Sequence, residues 1–273
     1  MPQTQLHIRQ MTLSDLDCVM SLKDQVAWNQ TPDDIRRLIE YEPGGCFVAE
    51  IDDIPVGAIS TTTYGTALAW IGMMLVLPDF RRRGIAKTLM QTSLDYLRGR
   101  GVECIKLDAT PLGQPLYEQL GFHSEWGFQR WERAGDSVAS FSPTGKLLSE
   151  QFELDTLAFG TNRSKLLASV ASSCRVFTTK STYGMLRPGS IAAYLGPVVS
   201  RTESEVEPMI NEMLVTVAGR VFWDIPIANK VAEEIAAAHG FQPVRQLLRM
   251  WTGQRNVVGR PQLQFALLDP TTG

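Results

Sequence analysis

The strongest constraint on this chain is that it spells one arrangement twice. Leu107-Asp108-Ala109-Thr110-Pro111 leads through a helical stretch to Gly121-Phe122, and Trp223-Asp224-Ile225-Pro226 leads through another to Gly240-Phe241. In both places an amphipathic helix precedes and a Trp-containing strand follows. Self-similarity of this kind points to two copies of one supersecondary plan. The length of 273 residues has room for both, since a domain takes roughly 100 to 200 residues. Hydrophobic residues at 44% suffice for an ordinary core, and charged residues at 20% are too few for a disordered chain.

The first copy reads as mixed α/β. Leu6 to Arg9 is a strand, and Thr12-Leu13-Ser14-Asp15 opens a helix carrying Leu16, Val19 and Met20. Thr31-Pro32-Asp33-Asp34 opens a second, running to about Glu40: the hydroxyl caps, proline suits the first helical position, and two carboxylates sit in the positive first turn. Phe47 to Ile51 and Pro55 to Ile59 form strands around Asp52-Asp53, and Trp70 to Leu77 forms a third. A helix with Leu89, Met90, Leu94 and Leu97 follows, then a strand from Val102 to Leu107. A helix starting at Thr110-Pro111 and a strand from Phe122 to Trp131 complete the copy.

Gly, Ser, Ala, Thr and Pro crowd the stretch from Ala134 to Gly145. The expected division is therefore a domain at 1–134, a linker at 135–149 and a second domain at 150–273. In the second domain, Arg163 to Val170 predicts a helix, and Cys174 to Thr179 and Ile191 to Val199 predict strands. Val206, Met209, Ile210, Met213, Leu214 and Val217 mark one face of another helix.

The copies differ at one place. Between strand and helix the first has Arg81-Arg82-Arg83-Gly84-Ile85-Ala86, and the second has Ser200-Arg201-Thr202-Glu203-Ser204-Glu205, with no glycine and two acids. A helix N-terminus presents unpaired N–H groups and a positive dipole end; a glycine there lets an anion come close, and arginines add bidentate donors. A P-loop fits worse, for lack of a glycine with four residues between it and Gly84 and of a Gly-Lys-Ser/Thr ending; a dinucleotide fingerprint needs three spaced glycines.

Elsewhere charge is balanced, with 26 Lys and Arg against 29 Asp and Glu and a net charge of -3, so nothing advertises nucleic acid as a partner. Cys18, Cys46, Cys104 and Cys174 have neither zinc-site nor disulfide spacing and read as reduced thiols, with no metal expected. Met1 to Gln5 carries no basic or apolar leader and no membrane-length apolar run follows, so a cytoplasmic protein without membrane attachment is expected.

The loop Arg81 to Ala86, preceded by Met73-Met74-Leu75-Val76 and followed by a helix, resembles the acyl-CoA loop of the GNAT N-acetyltransferases. That pattern is Gln or Arg, two residues, Gly, one residue, then Gly or Ala, and all three specified positions match. Pro115-Leu116-Tyr117-Glu118-Gln119-Leu120-Gly121-Phe122 resembles the segment in which the family carries its thiolate-facing tyrosine. The resemblance covers residues 5–131 well and the second half in outline. It implies an α/β (α+β) fold of two GNAT-like halves, each a mixed, mostly antiparallel sheet flanked by helices, the second half degenerate.

The resemblance also implies acetyl-CoA as co-substrate, held by Met74, Leu75 and Val76 at the strand end and by Arg81, Arg82, Arg83, Gly84, Ile85, Ala86, Lys87 and Thr88 at the loop and first helical turn. Tyr117 would protonate or hold the sulfur. A strand N–H aimed at the thioester oxygen would stabilise its developing charge. An acceptor amine is mostly protonated at neutral pH and calls for a base. Family members that place a glutamate in the central strand are not followed here, since Ala69 to Val76 holds no carboxylate. Asp108 is open to two readings, a base or a support for the turn before Thr110; Asp224 and His123 are weaker candidates. Trp28 and Asn29, between the two N-terminal helices, are expected to wall the acceptor pocket. The second half is expected to hold no cofactor and to shape or cover that pocket. The favoured function is transfer of acetyl from acetyl-CoA directly to a primary amine of a small molecule or peptide. The alternatives are a non-catalytic acyl-CoA sensor or assembly module, and a structural interaction protein.

Overall fold

The computed structural model describes residues 5–135 and 142–273. Positions 136–141 of the expected linker and positions 1–4 lie outside the described residues. The first half runs β1 (Leu6–Gln10), α1 (Leu16–Asp24), α2 (Pro32–Tyr41), β2 (Cys46–Ile51), β3 (Ile54–Tyr64), β4 (Leu68–Val76), α3 (Ile85–Gly99), β5 (Cys104–Ala109), α4 (Gln114–Gln119) and β6 (His123–Arg133). The second runs α5 (Ser149–Phe159), α6 (Ser164–Ala171), β7 (Arg175–Thr178), β8 (Thr182–Arg187), β9 (Ala193–Ser200), α7 (Val206–Val215), β10 (Val221–Pro226), α8 (Lys230–Ala238), β11 (Gln242–Gly253) and β12 (Gln264–Ala266).

Local chemistry fixes several of these elements. Thr31 and Asp34 form the reciprocal cap of α2 with proline in its first turn, and Thr12 and Asp15 form the same box ahead of α1. Helix α3 buries Ile85, Leu89, Met90, Leu94 and Leu97 against the sheet, each contributing roughly 2 kcal/mol of apolar burial. Helix α4 begins at Gln114, later than Thr110-Pro111 suggests: the Thr110 hydroxyl accepts from Gly113 N–H at 3.3 Å and closes a turn first.

The halves share one sheet. Its order is β1-β2-β3-β4-β5-β11-β6-β10-β9-β8-β7, with β12 added on β9. Each half places one late strand in the other's half of the sheet: β11 pairs antiparallel with β5, and β6 with β10. The division into 1–134 and 150–273 is one of chain order and does not separate two sheets.

The exchange is pinned by two crossing ion pairs. Arg249 of β11 grips Asp108 of β5 through two hydrogen bonds of 3.0 and 3.1 Å, and Arg130 of β6 grips Asp224 of β10 through two of 2.7 Å. Counted from Phe122 and Phe241, Arg130 and Arg249 occupy the same place in the repeat. Arg249 lies between Trp70 and Trp126, at 4.4 and 4.2 Å from their rings, and Arg130 lies near Tyr194 and Phe222, at 5.3 and 5.1 Å. Planar guanidinium groups suit bidentate carboxylates and aromatic faces at once.

Candidate active site

The parallel ladder between β4 and β5 stops at Ile71 opposite Leu107. Beyond it β5 stays with β11, so from Gly72 to Val76 one edge of β4 has no strand partner. β4 also bulges there: Leu75 faces Ala58 and Gly72 faces Ser60, which leaves Met73 and Met74 opposite Ile59 alone, with Met73 at φ +48°. A bulge on an unpaired edge leaves peptide groups outside the ladder and re-aims them.

A cavity of about 340 Å³ opens at this wedge. Gly72, Met73, Met74, Asp108 and Tyr117 line it from the first half, Trp28, Asn29 and Gln30 from the α1–α2 loop, and Arg187, Tyr194, Phe222, Arg245 and Leu247 from the second half. Asp269 to Thr272 closes another side. Tyr64 donates to the Thr272 carbonyl at 2.6 Å, Trp70 to the Pro270 carbonyl at 3.1 Å, and Gln30 to the Thr271 hydroxyl at 3.1 Å. A Cβ on Gly72 would fall inside contact distance of the Thr271 carbonyl, so the strand must be bare where this segment crosses it.

Tyr117 is buried, with its ring edge-on to Phe122 and against Gly113, where a Cβ would meet the ring at 2.9 Å. Its hydroxyl makes no hydrogen bond among the described residues, and burial pushes the phenol up to about 12. Asp108 departs from a base facing an acceptor. Its side chain is wholly enclosed and both oxygens are on Arg249, so the residue meets the cavity through its backbone. Burial, opposed by Arg249, pushes that carboxyl up to about 6. Asp224 is equally enclosed, held by Arg130 and the Tyr194 hydroxyl. His123 is exposed and stacks toward Trp251.

Asn29 lines the cavity, yet its side chain is a latch between halves: Oδ1 accepts from Ile191 and Ala192 N–H at 2.9 Å each, and Nδ2 donates to the Ala192 carbonyl at 3.0 Å. Trp28 keeps its indole at the cavity while its carbonyl accepts from the buried Lys23 ammonium at 3.2 Å. Neither this latch nor the cavity role of Arg187 and Arg245 is visible from local motifs, because each depends on contacts across the halves.

The loop after β4 lies at the other end of the wedge. Arg82 and Gly84, the residue before α3, are left-handed at φ +61° and +81°. Left-handed residues in such loops turn successive N–H groups to one side and form anion-binding concavities. Arg81 bonds back to the Val76 carbonyl at 3.0 Å and Arg83 to the Asp79 carbonyl at 2.9 Å, while Arg82 and Lys87 are exposed without hydrogen-bond partners among the described residues. Nothing lies within 4 Å of where a Gly84 Cβ would stand, so the space for an anion is open. Thr88 turns its hydroxyl to the Gly84 carbonyl, Ile85 is buried and Ala86 is half-buried. Met74 reaches the cavity, whereas the Leu75 and Val76 side chains pack into the core and leave only backbone for a ligand.

The second half has the matching wedge and fills it. Its parallel ladder ends at Leu195 opposite Trp223, and its bulge falls on Gly196-Pro197 opposite Met185. Proline supplies no N–H there. β12 pairs with β9, Leu267 N–H donates to the Asp224 carbonyl at 2.9 Å, and Trp223 donates to the Phe265 carbonyl at 2.9 Å. Where Gly84 precedes α3, Glu205 precedes α7 and accepts from the Thr179 and Thr182 hydroxyls, which hold its carboxyl below the usual range. Among the described residues no group of three His, Cys, Asp or Glu is placed to hold a metal ion, and no helix is long and apolar enough to cross a membrane.

Two α/β copies, one with an opened parallel pair beside a cationic helix start, define a tandem acyltransferase fold. The chain belongs to the GNAT acetyltransferases: the model of the acetyltransferase (GNAT) family matches residues 12–122, and that of the acetyltransferase (GNAT) domain matches residues 152–266. It is 23% identical over 193 residues to the uncharacterized N-acetyltransferase YitH of Bacillus subtilis, covering 64% of this chain and 66%, just under two thirds, of YitH. It is 25% identical over 133 residues to the aminoglycoside N(6')-acetyltransferase type 1 of Salmonella typhimurium, covering 43% of this chain and 91% of that one. In fold it is similar to a candidate acetyltransferase of Pyrococcus horikoshii, with a TM-score of 0.86 and 24% identity over 98% of this chain and 96% of that chain.

Proposed function

We propose that this chain transfers the acetyl group of acetyl-CoA directly to a primary amine of a small molecule or peptide, with the co-substrate held by the first half and the acceptor between both. The observation that carries this reading is the open β4–β5 wedge, whose free β4 edge lines a cavity walled by both halves at Gly72 to Met74 and leads on in sequence to the loop and helix start at Gly84. The likeness to an aminoglycoside N-acetyltransferase supports an amine as acceptor.

The chain's own groups divide the work as follows. Arg82, Lys87 and the N–H groups at the start of α3 bind the pyrophosphate. The unpaired β4 edge from Gly72 to Val76 gives backbone bonds to the pantetheine arm, and an N–H of the Met73–Met74 bulge meets the thioester oxygen as charge develops on it. With its phenol at about 12, Tyr117 stays protonated and donates a hydrogen bond to the sulfur. Full proton transfer from it to an ordinary thiolate, near pKa 8.5, would run uphill by roughly 3.5 in pKa, so the proton that ends on sulfur comes in net from the amine. Asp108, enclosed on Arg249, positions β5 and β11 around the cavity and takes no part as a base.

Calorimetry with acetyl-CoA followed by an amine panel read by free CoA release tests this function. Binding with turnover of at least one amine is expected. Binding with no turnover of any amine favours a sensor, and absence of binding removes both.

A further inference from the structure

Among the described residues eight charged ones line the cavity, and seven of them have a partner of opposite sign. Asp34 pairs with Arg37 at 2.9 Å, Arg187 with Asp269 at 3.4 Å, Asp108 with Arg249 at 3.0 Å, Arg130 with Asp224 at 2.7 Å, and Glu132 with Arg220 at 3.1 Å. Arg245 has neither an ion pair nor a hydrogen bond among the described residues, and it is half-buried.

Its place in the repeat makes this more pointed. β6 and β11 each carry a bulge at the same count after Phe122 and Phe241, at Glu125 and at Val244. On one side of the exchange the register then sets Arg249 opposite Trp126, a cation on an aromatic face. On the other it sets Arg245 opposite Arg130. Like charges directly across a ladder are destabilising. Asp224 is engaged by Arg130 and Tyr194 and makes no hydrogen bond to Arg245. The Val244 bulge puts Arg245 on the same face as Leu247, toward the cavity. Burial lowers the Arg245 pKa and the charge of Arg130 lowers it further, opposed in part by Asp224 and Tyr194, and an anion in the cavity would offset what is left of that cost.

We propose that Arg245 binds a carboxylate on the acceptor, so that the substrate is a small amine of the amino-acid type. This rests on the transferase reading above and adds the acceptor class to it. A guanidinium fork matches a carboxylate in two parallel hydrogen bonds. A cavity of about 340 Å³ suits a molecule of this size.

Matched pairs test it: amino acids and the amines left when their carboxylate is removed, assayed with acetyl-CoA, and titrated calorimetrically in the presence of CoA. The wild type is expected to favour the carboxylated member by on the order of 10- to 100-fold in kcat/KM or affinity. In Arg245→Gln that preference should collapse to about one, with acetyl-CoA affinity unchanged; Arg245→Lys should restore part of it. Melting of the ligand-free Arg245→Gln protein should be unchanged or raised, because an unpaired charge has been removed. Three results would overturn the proposal: no carboxylate preference in the wild type, equal loss for both members of a pair, or a loss confined to acetyl-CoA affinity. Failure of the transferase reading is distinguishable, since it abolishes turnover with every amine while the calorimetric pairs still decide the carboxylate question.

Discussion

The β4–β5 wedge and the β9–β10 wedge are the same piece of architecture put to opposite ends. In each the parallel ladder stops after a few pairs and a bulge follows, but only the first leaves its strand edge free. The second closes its gap with β12 and Leu267, puts proline where an N–H would be needed, and holds Glu205 on the Thr179 and Thr182 hydroxyls at the position where Gly84 stands in the first. The second wedge therefore differs from the first in more than the missing glycine loop. The chain must satisfy, with its own groups, each donor and each gap that a ligand would otherwise fill. The second half thereby becomes free to serve as a wall, and Arg187, Tyr194, Phe222, Arg245, Leu247 and the segment from Asp269 to Thr272 line the cavity that the first half opens.

The largest effect that would break this comparison is charge reversal at the two helix starts. Arg82→Glu with Arg83→Glu should weaken acetyl-CoA binding by on the order of 100-fold or more, whereas Arg201→Glu should leave it unchanged, as read by calorimetry. Next comes the crossing ion pair of the second half. Asp224→Asn leaves the Arg130 guanidinium buried without its counter-charge, and chemical denaturation should show a loss of about 3 to 5 kcal/mol, in a transition that takes both halves together because their strands interlock. Smaller again, Tyr117→Phe should lower kcat by roughly 10- to 100-fold with little change in acetyl-CoA affinity, because in the proposed arrangement the lost hydroxyl meets the sulfur and not the phosphates. Since burial raises the phenol from 10 to about 12, its neutral form persists to higher pH. Wild-type kcat/KM should thus keep rising with amine deprotonation up to about pH 10 instead of falling there.

Much of the first half was legible because its signals are local. The two capping boxes, the face of α3 and the loop from Arg81 to Ala86 each declare themselves within a few residues. The repeat was legible too, and with it the equivalence of Asp108 and Asp224. Their roles were not, since each aspartate is enclosed by an arginine more than ninety positions away in the other half. The exchange of β6 and β11 is invisible for the same reason: either strand reads correctly as a strand whichever neighbour it pairs with. β12 is three residues long and carries no alternation to detect, and α5 buries Gln151 and Asp155 beside Leu154 and Ala158, so its apolar pattern is broken. Asn29 lines the cavity from between the two N-terminal helices, where the sequence sets it, but the partners of its amide in the 190–192 loop are fixed only by the fold.

The most direct measurement is the stoichiometry of acetyl-CoA binding to the intact chain by calorimetry. One molecule per chain is predicted, lost on charge reversal at Arg82 and Arg83 and kept on reversal at Arg201. Two molecules per chain, or one that survives the first reversal and is lost with the second, would contradict an open first wedge and a filled second.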